Sequence, residues 1–163
     1  MKYKFLTIFF ILLLSADCMS FQQVKQFSDV RELTALIRHF NWLDSELYYI
    51  IKNESNKKSV DFHLVLCIID TESNGNKNAF NRNRNQTADF GLMQVNSSHS
   101  ESVKDFTVQQ NIAFGIDYFS KCLDKSDSIF EAVGKYNAGI NAKFININYV
   151  NKILGKYRII KND

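Results

Sequence analysis

Apolar side chains recur at helical spacing along most of the chain, and they are densest in residues 59–73. In that segment they nearly surround the predicted helix, so we expect this helix to lie at the centre of the fold. Ser59 is its expected N-cap. A strand over residues 64–69 is the alternative interpretation, but the polar start and the length of the segment favour a helix.

Five other segments have the same helical spacing. Asp29 and Glu32 have the spacing of a capping box, and Thr107 and Ser128 each precede a segment as an expected N-cap. The chain contains no proline and only six glycines, so few residues interrupt long helices. Gly139 is the expected terminator of one of them. The predicted helices cover residues 28–40, 44–53, 107–123, 128–139 and 144–160.

The pattern changes after the central helix. Residues 74–91 are polar, rich in asparagine and bounded by glycine, which is typical of a loop, and residues 92–96 return briefly to apolar character. Little in the pattern supports a sheet, although a short hairpin within residues 74–96 is left open. The fold class predicted from the pattern is therefore mainly α.

Length and charge narrow the possible functions. With 163 residues, the chain is long enough for one domain and short for two. Hydrophobic residues make up 45% and charged residues 23%, which is the composition of an ordinary globular protein. The net charge of +3 is compatible with a weak attraction to an anionic polymer. Nucleic-acid binding is not expected, because it needs a dense stripe of lysine and arginine.

The N-terminus has the pattern of a secretory signal peptide. Lys2 and Lys4 precede an apolar run over residues 5–14, and small residues follow it. The apolar run is short for a membrane span, so we expect cleavage and export to the periplasm or cell envelope. Residues 1–18 are the predicted signal peptide and residues 19–163 the mature domain. An uncleaved N-terminal anchor is the alternative.

The three cysteines permit at most one internal disulfide. Cys67 lies in the apolar run of the central helix and is interpreted as a small buried hydrophobe. Cys18 lies in the cleavage region, where it is lost with the signal peptide, lipidated, or kept and paired with Cys122. Asp17 is a poor match to the small residue that precedes a lipidated cysteine, so lipidation is the less favoured outcome. No cysteine or histidine spacing indicates zinc, and we expect no metal or cofactor.

An ionisable acid follows directly on the apolar run. On a helix, Glu72 falls on the same stripe as Val65 and Ile69, at the end of an otherwise packed face. A carboxyl in apolar surroundings keeps its proton longer than a solvated one, so it can donate a proton near neutral pH and take one back. Cleavage of a glycosidic bond requires this chemistry. A surface glutamate near a helix end is the plainer interpretation of the position alone.

Four short motifs occur in a specific order, IIDTES at 68–73, DFGLMQVN at 89–96, NIAFG at 111–115 and YNAG at 136–139. In this order the chain resembles the soluble lytic transglycosylases of bacterial cell walls, a lysozyme-like family with Glu-Ser, Gly-Leu-Met-Gln and Tyr-Asn-Ala-Gly motifs. The resemblance covers about residues 44–157 and implies a lysozyme-like (goose-type) single domain. Small exported members that accompany type III and type IV secretion machines are closest in size.

The resemblance implies a role for each motif residue. Glu72 falls on the family's single general acid/base, and Ser73 on a residue that helps to position the glycan. Gly91 permits a close turn beside the cleft, Met93 offers an apolar wall, and Gln94 forms hydrogen bonds to sugar.

The Tyr-Asn-Ala-Gly motif supplies two more implied site residues. Tyr136 approaches the catalytic acid and Asn137 faces the substrate, which suits a phenol that packs and hydrogen-bonds and an amide that donates and accepts. A structural alternative is open for three residues: Met93 and Tyr136 as core side chains, and Asn137 with Gly139 as a helix end. The site interpretation is favoured for Tyr136 and Asn137.

Glycosidases usually need a second carboxylate, and none is obvious here. Asp70 is two residues from Glu72, so on a helix it points elsewhere. Asp89 lies near the Gly-Leu-Met-Gln turn, where capping the turn is favoured over entering the cleft. The resemblance implies that the substrate supplies the missing group. The N-acetyl group of the muramic sugar assists departure, and Glu72 then activates that sugar's own 6-hydroxyl to close a 1,6-anhydro ring.

Three functions compete at this point. The first is an exported lytic transglycosylase that cleaves the β-1,4 bond between N-acetylmuramic acid and N-acetylglucosamine in peptidoglycan, for local remodelling around an envelope-spanning apparatus. The second is a hydrolase of the same fold, similar to goose-type lysozymes, that uses water. The third is a non-catalytic glycan-binding or scaffold protein of a secretion apparatus. The presence of Glu72, Gln94 and Tyr136 together argues against the third.

Overall fold

The computed structural model describes residue 23 and residues 25–163. The predicted signal peptide and Cys18 lie outside the described residues. The chain divides into two compact units, Met1–Arg38 and His39–Asp163. Within the described part of the chain, no helix is both long enough and apolar enough to cross a membrane.

The first unit contributes one described helix, α1, over residues 25–37. Residues 25–28 are already helical, so Asp29 and Glu32 lie inside the helix and not at its N-cap. The predicted capping box was therefore wrong. Val30, an apolar residue of this helix, is exposed.

The second unit contains the remaining helices and a small sheet. The fold is mainly α, as predicted. In chain order its helices are α2 (Ser45–Lys57), α3 (Phe62–Ser73), a 3-10 helix (Glu101–Asp105), α4 (Val108–Asp124), α5 (Ile129–Ala138) and α6 (Ile147–Asn162).

Helix α3 is the centre of this unit. All residues from Leu64 to Ile69 are 2% exposed or less, including Cys67, because α2 and α6 both pack against this helix. The helical interpretation of this segment is confirmed over the strand. Its N-cap is Asp61, whose carboxylate accepts from two amides of the first turn. Ser59 was the wrong cap, since it lies further upstream with φ 53° and an N-cap needs extended backbone.

The N-caps of α4 and α5 are the predicted residues. Thr107 forms a reciprocal capping box with the first turn of α4. Ser128 accepts from the amide of Glu131 at 3.2 Å, and the Glu131 carboxylate accepts from the amide of Asp127 at 3.0 Å. Gly139 follows α5 with φ 104° and ends the helix as expected.

The segment between α3 and the 3-10 helix contains a sheet. Strands β1 (Phe80–Arg82), β2 (Ala88–Phe90) and β3 (Val95–Asn96) form an antiparallel sheet in that order. The loop predicted over residues 74–91 was wrong for β1 and β2. The hairpin that was left open within residues 74–96 is present, and β3 adds a third strand to it. All three residues of β1 are exposed, so the strand lacks the alternation of buried apolar residues that identifies strands in a sequence.

Candidate active site

A cleft of about 1210 Å³ opens where α3, the sheet, α4, α5 and α6 meet. Its lining is rich in carboxylate, amide and hydroxyl side chains. Gly91 and Met93 are not part of the lining. The other five predicted site residues are, namely Glu72, Ser73, Gln94, Tyr136 and Asn137.

Glu72 lies in the last turn of α3, where the buried stripe of the helix reaches the cleft. The helix ends here because Asn74 adopts a left-handed conformation, with φ 52°, and donates its N–H to the carbonyl of Asp70. Gly75 follows with φ 72°, and a Cβ at this position would lie 2.1 Å from the ring of Trp42. The chain therefore turns away sharply after the acid and leaves the carboxyl at the cleft.

The Glu72 carboxyl holds its proton more tightly than a solvated glutamate. Burial raises its pKa to about 7, and the negative charge of Asp89 adds to the rise. The Tyr149 hydroxyl and the positive charge of Lys152 oppose it. Near neutral pH, Glu72 is therefore present in both protonation states, which suits a group that must donate a proton and take one back.

Tyr149 is the direct partner of Glu72. Its hydroxyl donates to Oε1 of the carboxylate across the packed pair of helices α3 and α6. Burial and then the charge of Glu72 raise the pKa of Tyr149, so the phenol stays protonated and acts as a donor. In the sequence, Tyr149, Ile153 and Tyr157 recur at a spacing of four residues, which is typical of a helix. That spacing is the one signal for Tyr149, and it does not show that the hydroxyl meets the acid.

Tyr136 connects α5 to the Gly-Leu-Met-Gln segment. Its hydroxyl donates to the backbone carbonyl of Met93 at 2.8 Å, and its ring contacts Tyr118 and Phe119 with centroids 5.7 and 5.8 Å away. Burial raises the pKa of Tyr136, and the charge of Glu72 raises it further. Tyr136 therefore lines the cleft, and the charge of Glu72 acts on its pKa. The hydroxyl that donates to Glu72 is that of Tyr149.

A buried amide on α4 holds the Gly-Leu-Met-Gln turn. Asn111 is 4% exposed. Its Oδ1 accepts from the amide of Met93 at 2.9 Å, and its Nδ2 donates to the carbonyl of Phe90 at 2.8 Å. Gly91 has φ 72°, and a Cβ there would lie 2.7 Å from the Asn111 amide group. The close turn expected at Gly91 is present. It packs around the side chain of Asn111, which is the first residue of the Asn-Ile-x-x-Gly motif.

Met93 and Gln94 follow the turn in opposite environments. The Met93 side chain is fully buried and packs on Gly115, where a Cβ would lie 2.5 Å from the methionine sulfur. Of the two interpretations of Met93, the structure matches the core side chain and not the apolar wall of the cleft. Gln94 Nε2 donates to the carbonyls of Gly91 at 2.9 Å and Ala79 at 3.3 Å. The carbonyl oxygen of the same amide is an acceptor suited to a sugar hydroxyl.

Ser73 and Asn137 occupy the ends of two helices at the cleft. The Ser73 hydroxyl donates to the carbonyl of Ile69 at 3.1 Å in the last turn of α3. Asn137 is exposed in the last turn of α5. Both residues line the cleft, and the glycan-binding roles implied by the resemblance stay predictions.

Asp89 enters the cleft from β2. It does not cap the turn as expected, because its carboxylate is the centre of a cluster of side-chain amides. Asn81 and Asn83 donate to one oxygen at 3.2 and 2.9 Å, and Asn96 donates to the other at 2.6 Å. These asparagines therefore hold a negative charge in the cleft, although an asparagine-rich segment is typical of a loop. The charge raises the pKa of Glu72.

Asp70 is the other carboxylate close to Glu72 in sequence. Its Oδ1 accepts from the Trp42 indole at 2.9 Å, and its Oδ2 pairs with Lys156 on α6. Both carboxylate oxygens thus hold neighbouring elements together, which fits a structural ion pair better than a reacting group.

Comparisons with known proteins point to one family. The family model described as the transglycosylase SLT domain matches residues 48–158. Invasion protein IagB of Salmonella typhimurium is 30% identical over 131 residues, which cover 74% of this chain and 76% of the relative. Protein IpgF of Shigella flexneri is 33% identical over 89 residues, which cover 49% of this chain and 59% of the relative. The chain therefore belongs to the transglycosylase SLT domain family, whose fold is lysozyme-like.

Proposed function

We propose that this protein is a peptidoglycan lytic transglycosylase that cleaves the β-1,4 bond between N-acetylmuramic acid and N-acetylglucosamine. Membership of the SLT domain family supports a glycan-cleaving lyase that acts on peptidoglycan. The observation that carries the proposal is the Glu72 carboxyl, which lies in a cleft of about 1210 Å³ with a pKa that burial raises to about 7. An acid in this state is what glycosidic cleavage needs.

The proposed reaction uses Glu72 twice. Protonated Glu72 donates its proton to the glycosidic oxygen while the bond from that oxygen to C1 breaks and the acetamido oxygen of the muramic sugar bonds to C1. The Glu72 carboxylate then takes the proton of the 6-hydroxyl on the same sugar, whose oxygen bonds to C1 and displaces the acetamido oxygen. The product carries a 1,6-anhydro ring, Glu72 is protonated again, and no water is consumed.

Two neighbours suit the two states of Glu72. The charge of Asp89 favours the protonated acid that starts the reaction, and the Tyr149 hydroxyl stabilises the carboxylate that forms in the middle of it. Ser73, Gln94 and Asn137 line the same cleft and supply hydroxyl and amide groups to the sugar.

A hydrolase is the second candidate, and Asp89 is the observation that favours it. A hydrolase of this kind pairs its acid with a second carboxylate, and the asparagine cluster holds Asp89 in the cleft with Glu72. In that case water, and not the 6-hydroxyl, attacks C1 and the product has a reducing end.

Mass spectrometry of digested peptidoglycan separates the candidates. Digestion in ¹⁸O-labelled water is expected to give 1,6-anhydro ends without label if the proposal is right. Labelled reducing ends would instead identify the hydrolase. Intact glycan after prolonged digestion with wild-type protein would leave the non-catalytic glycan-binding role.

We also propose that residues 1–18 are a cleaved signal peptide and that residues 19–163 act in the periplasm or cell envelope, where peptidoglycan lies. One relative is named an invasion protein, which supports local opening of the wall for an envelope-spanning apparatus. The intact mass of the protein from an envelope fraction tests the cleavage. A mass that retains residues 1–18 contradicts it, and a mass increased by acyl chains at Cys18 identifies the lipidated form.

A further inference from the structure

Phe80 is a large apolar side chain that remains 62% exposed at a polar cleft. Single exposed apolar residues are common on protein surfaces and need no special explanation. Phe80 differs from them because it lines the same cleft as Glu72 and because its position is fixed.

Two sets of contacts fix Phe80. Across the β1–β2 pair it stands opposite Phe90, and the two rings meet edge to face with centroids 5.3 Å apart and planes at 60°. The preceding carbonyl, that of Ala79, accepts from the backbone amide of Gly91 at 2.8 Å and from the Gln94 side chain at 3.3 Å. The Phe80 ring is thus tied to the Gly-Leu-Met-Gln turn, while its exposed surface is free to meet a ligand.

The chemistry around Phe80 matches a sugar ring. A β-linked N-acetylhexosamine presents C–H groups on the faces of its ring and hydroxyl and acetamido groups at its rim. The negative face of an aromatic ring attracts such C–H groups. Asn76 and Asn81 line the cleft on the same segment. Asn76 can donate to the polar rim through its Nδ2, and Asn81 can accept from it through its Oδ1.

We propose that Phe80 is the stacking platform of a sugar subsite, which binds one face of an N-acetylhexosamine ring of the glycan. The inference rests on the proposed function for the identity of the ligand. Phe80 has no proton to transfer, so its contribution falls on glycan binding and not on the chemical step. Its loss therefore changes KM and leaves kcat almost unchanged.

Four variants test the subsite. Phe80→Ala removes the ring, Phe80→Leu keeps an apolar side chain against Phe90, and Phe80→Tyr keeps the ring. Phe144→Ala is the matched control, because Phe144 is 90% exposed and lies outside the cleft lining. Affinity for soluble peptidoglycan glycan strands is measured by calorimetry in a Glu72→Gln background, and KM and kcat are measured with Glu72 intact.

Phe80→Ala and Phe80→Leu are expected to weaken glycan binding and raise KM about 3- to 10-fold, in line with the strength of a single aromatic contact. Phe80→Tyr and Phe144→Ala are expected to bind like the parent. Circular dichroism checks the fold of each variant, and Phe80→Leu carries the test if Phe80→Ala does not fold.

Three results would overturn the subsite. Phe80→Leu could bind the strands as tightly as the Glu72→Gln parent, Phe144→Ala could lose as much affinity as the Phe80 variants, or the Glu72→Gln parent could fail to bind the strands. Failure of the proposed function is distinguishable from these. If wild-type protein cleaves no peptidoglycan but the Phe80 variants bind glycan more weakly, the enzyme is rejected and the subsite stands. If wild type cleaves and the Phe80 variants behave like it, only the subsite is rejected.

Discussion

Helix α3 and the segment over residues 74–96 meet at the same cleft, but the chain specifies them in different ways. Helix α3 follows from its own residues, with an uninterrupted buried run and Asp61 as cap. The strands of the segment have hardly any buried side chains, and Asn111 on α4 holds the turn between two of them. The acid is therefore placed by a locally encoded helix. The surface facing it is placed by side-chain hydrogen bonds, which include those from Asn111 on α4.

The two regions also raise the pKa of Glu72 in different ways. The helix side removes water from Glu72, and burial is the largest cause of its raised pKa. The sheet side adds the charge of Asp89, which the asparagine amides keep in place. A change in either region is therefore expected to change the pKa of Glu72.

The largest expected effect comes from the end of α3. Glu72→Gln keeps the shape of the side chain but can neither donate nor accept the proton, so we expect activity to fall about 10²- to 10⁴-fold. Release of soluble fragments from purified peptidoglycan measures this loss. Both regions are expected to stay folded, because the amide removes a buried ionisable group without leaving a cavity.

Glu101→Gln is the matched control for this variant. Glu101 is an exposed glutamate in the first turn of the 3-10 helix, outside the cleft lining. Its variant should retain wild-type activity. Normal release of fragments by Glu72→Gln would remove Glu72 from the mechanism, and equal losses in both variants would show that the effect is not specific.

The same contrast explains which features could be predicted from the sequence. Apolar spacing and caps such as Thr107 and Ser128 are local signals, and they located the helices of the second unit. The motif resemblance found residues that the structure brings to one cleft, among them Glu72 and Gln94. The sheet was missed because amide–carboxylate contacts hold it, and these leave no periodic pattern. Tyr149 was missed because packing between α3 and α6 decides which face of α6 meets the acid.

Asn111→Ala is expected to destabilise the segment over residues 74–96 more than helix α3. It leaves the amide of Met93 and the carbonyl of Phe90 without their partner, so the free energy of unfolding should fall by roughly 2–4 kcal/mol. Urea unfolding measures this loss. Hydrogen exchange should show a larger loss of protection over residues 88–96 than in α3.

Asn151→Ala is the control, since Asn151 is an exposed asparagine on α6. A surface change of this kind should alter the free energy of unfolding by about 0.5 kcal/mol or less. If Asn111→Ala loosened α3 as much as the sheet, the two regions would form one cooperative unit and the contrast between them would be wrong.

The pH dependence of stability tests the helix side by itself. The folded Glu72 has a pKa of about 7 against an ordinary value of 4.5. Below pH 4.5 the group is protonated in both states. As the pH rises towards 7, the unfolded chain has lost this proton while the folded chain keeps it, so the stability falls, and above 7 the loss is complete.

Glu72→Gln removes this contribution, and the other carboxyls cancel in the comparison with wild type. The variant should therefore gain about 3 kcal/mol relative to wild type across pH 4.5 to 7, and no more above that range. Urea unfolding at several pH values gives the two curves. Parallel curves would mean that Glu72 is not desolvated at the end of α3.

Tyr149→Phe is expected to have the smallest effect and to sharpen the comparison most. The variant keeps the ring packed between α3 and α6 but removes the hydroxyl that donates to Glu72. Because that hydrogen bond favours the carboxylate, its loss raises the pKa of Glu72 further. Activity should fall about 5- to 10-fold, while the alkaline limb of the pH–rate profile moves to higher pH.

Tyr157→Phe separates this effect from a general weakening of α6. Tyr157 lies two turns further along the same helix, where its hydroxyl donates to Asp61 at 2.9 Å. Losing that bond can lower stability, but it leaves the surroundings of Glu72 unchanged, so the alkaline limb should stay in place. A limb that shifts equally in both variants would trace the effect to the packing of α6. A limb that moves only in Tyr149→Phe would show that one hydroxyl from α6 lowers the pKa of Glu72 at the end of α3.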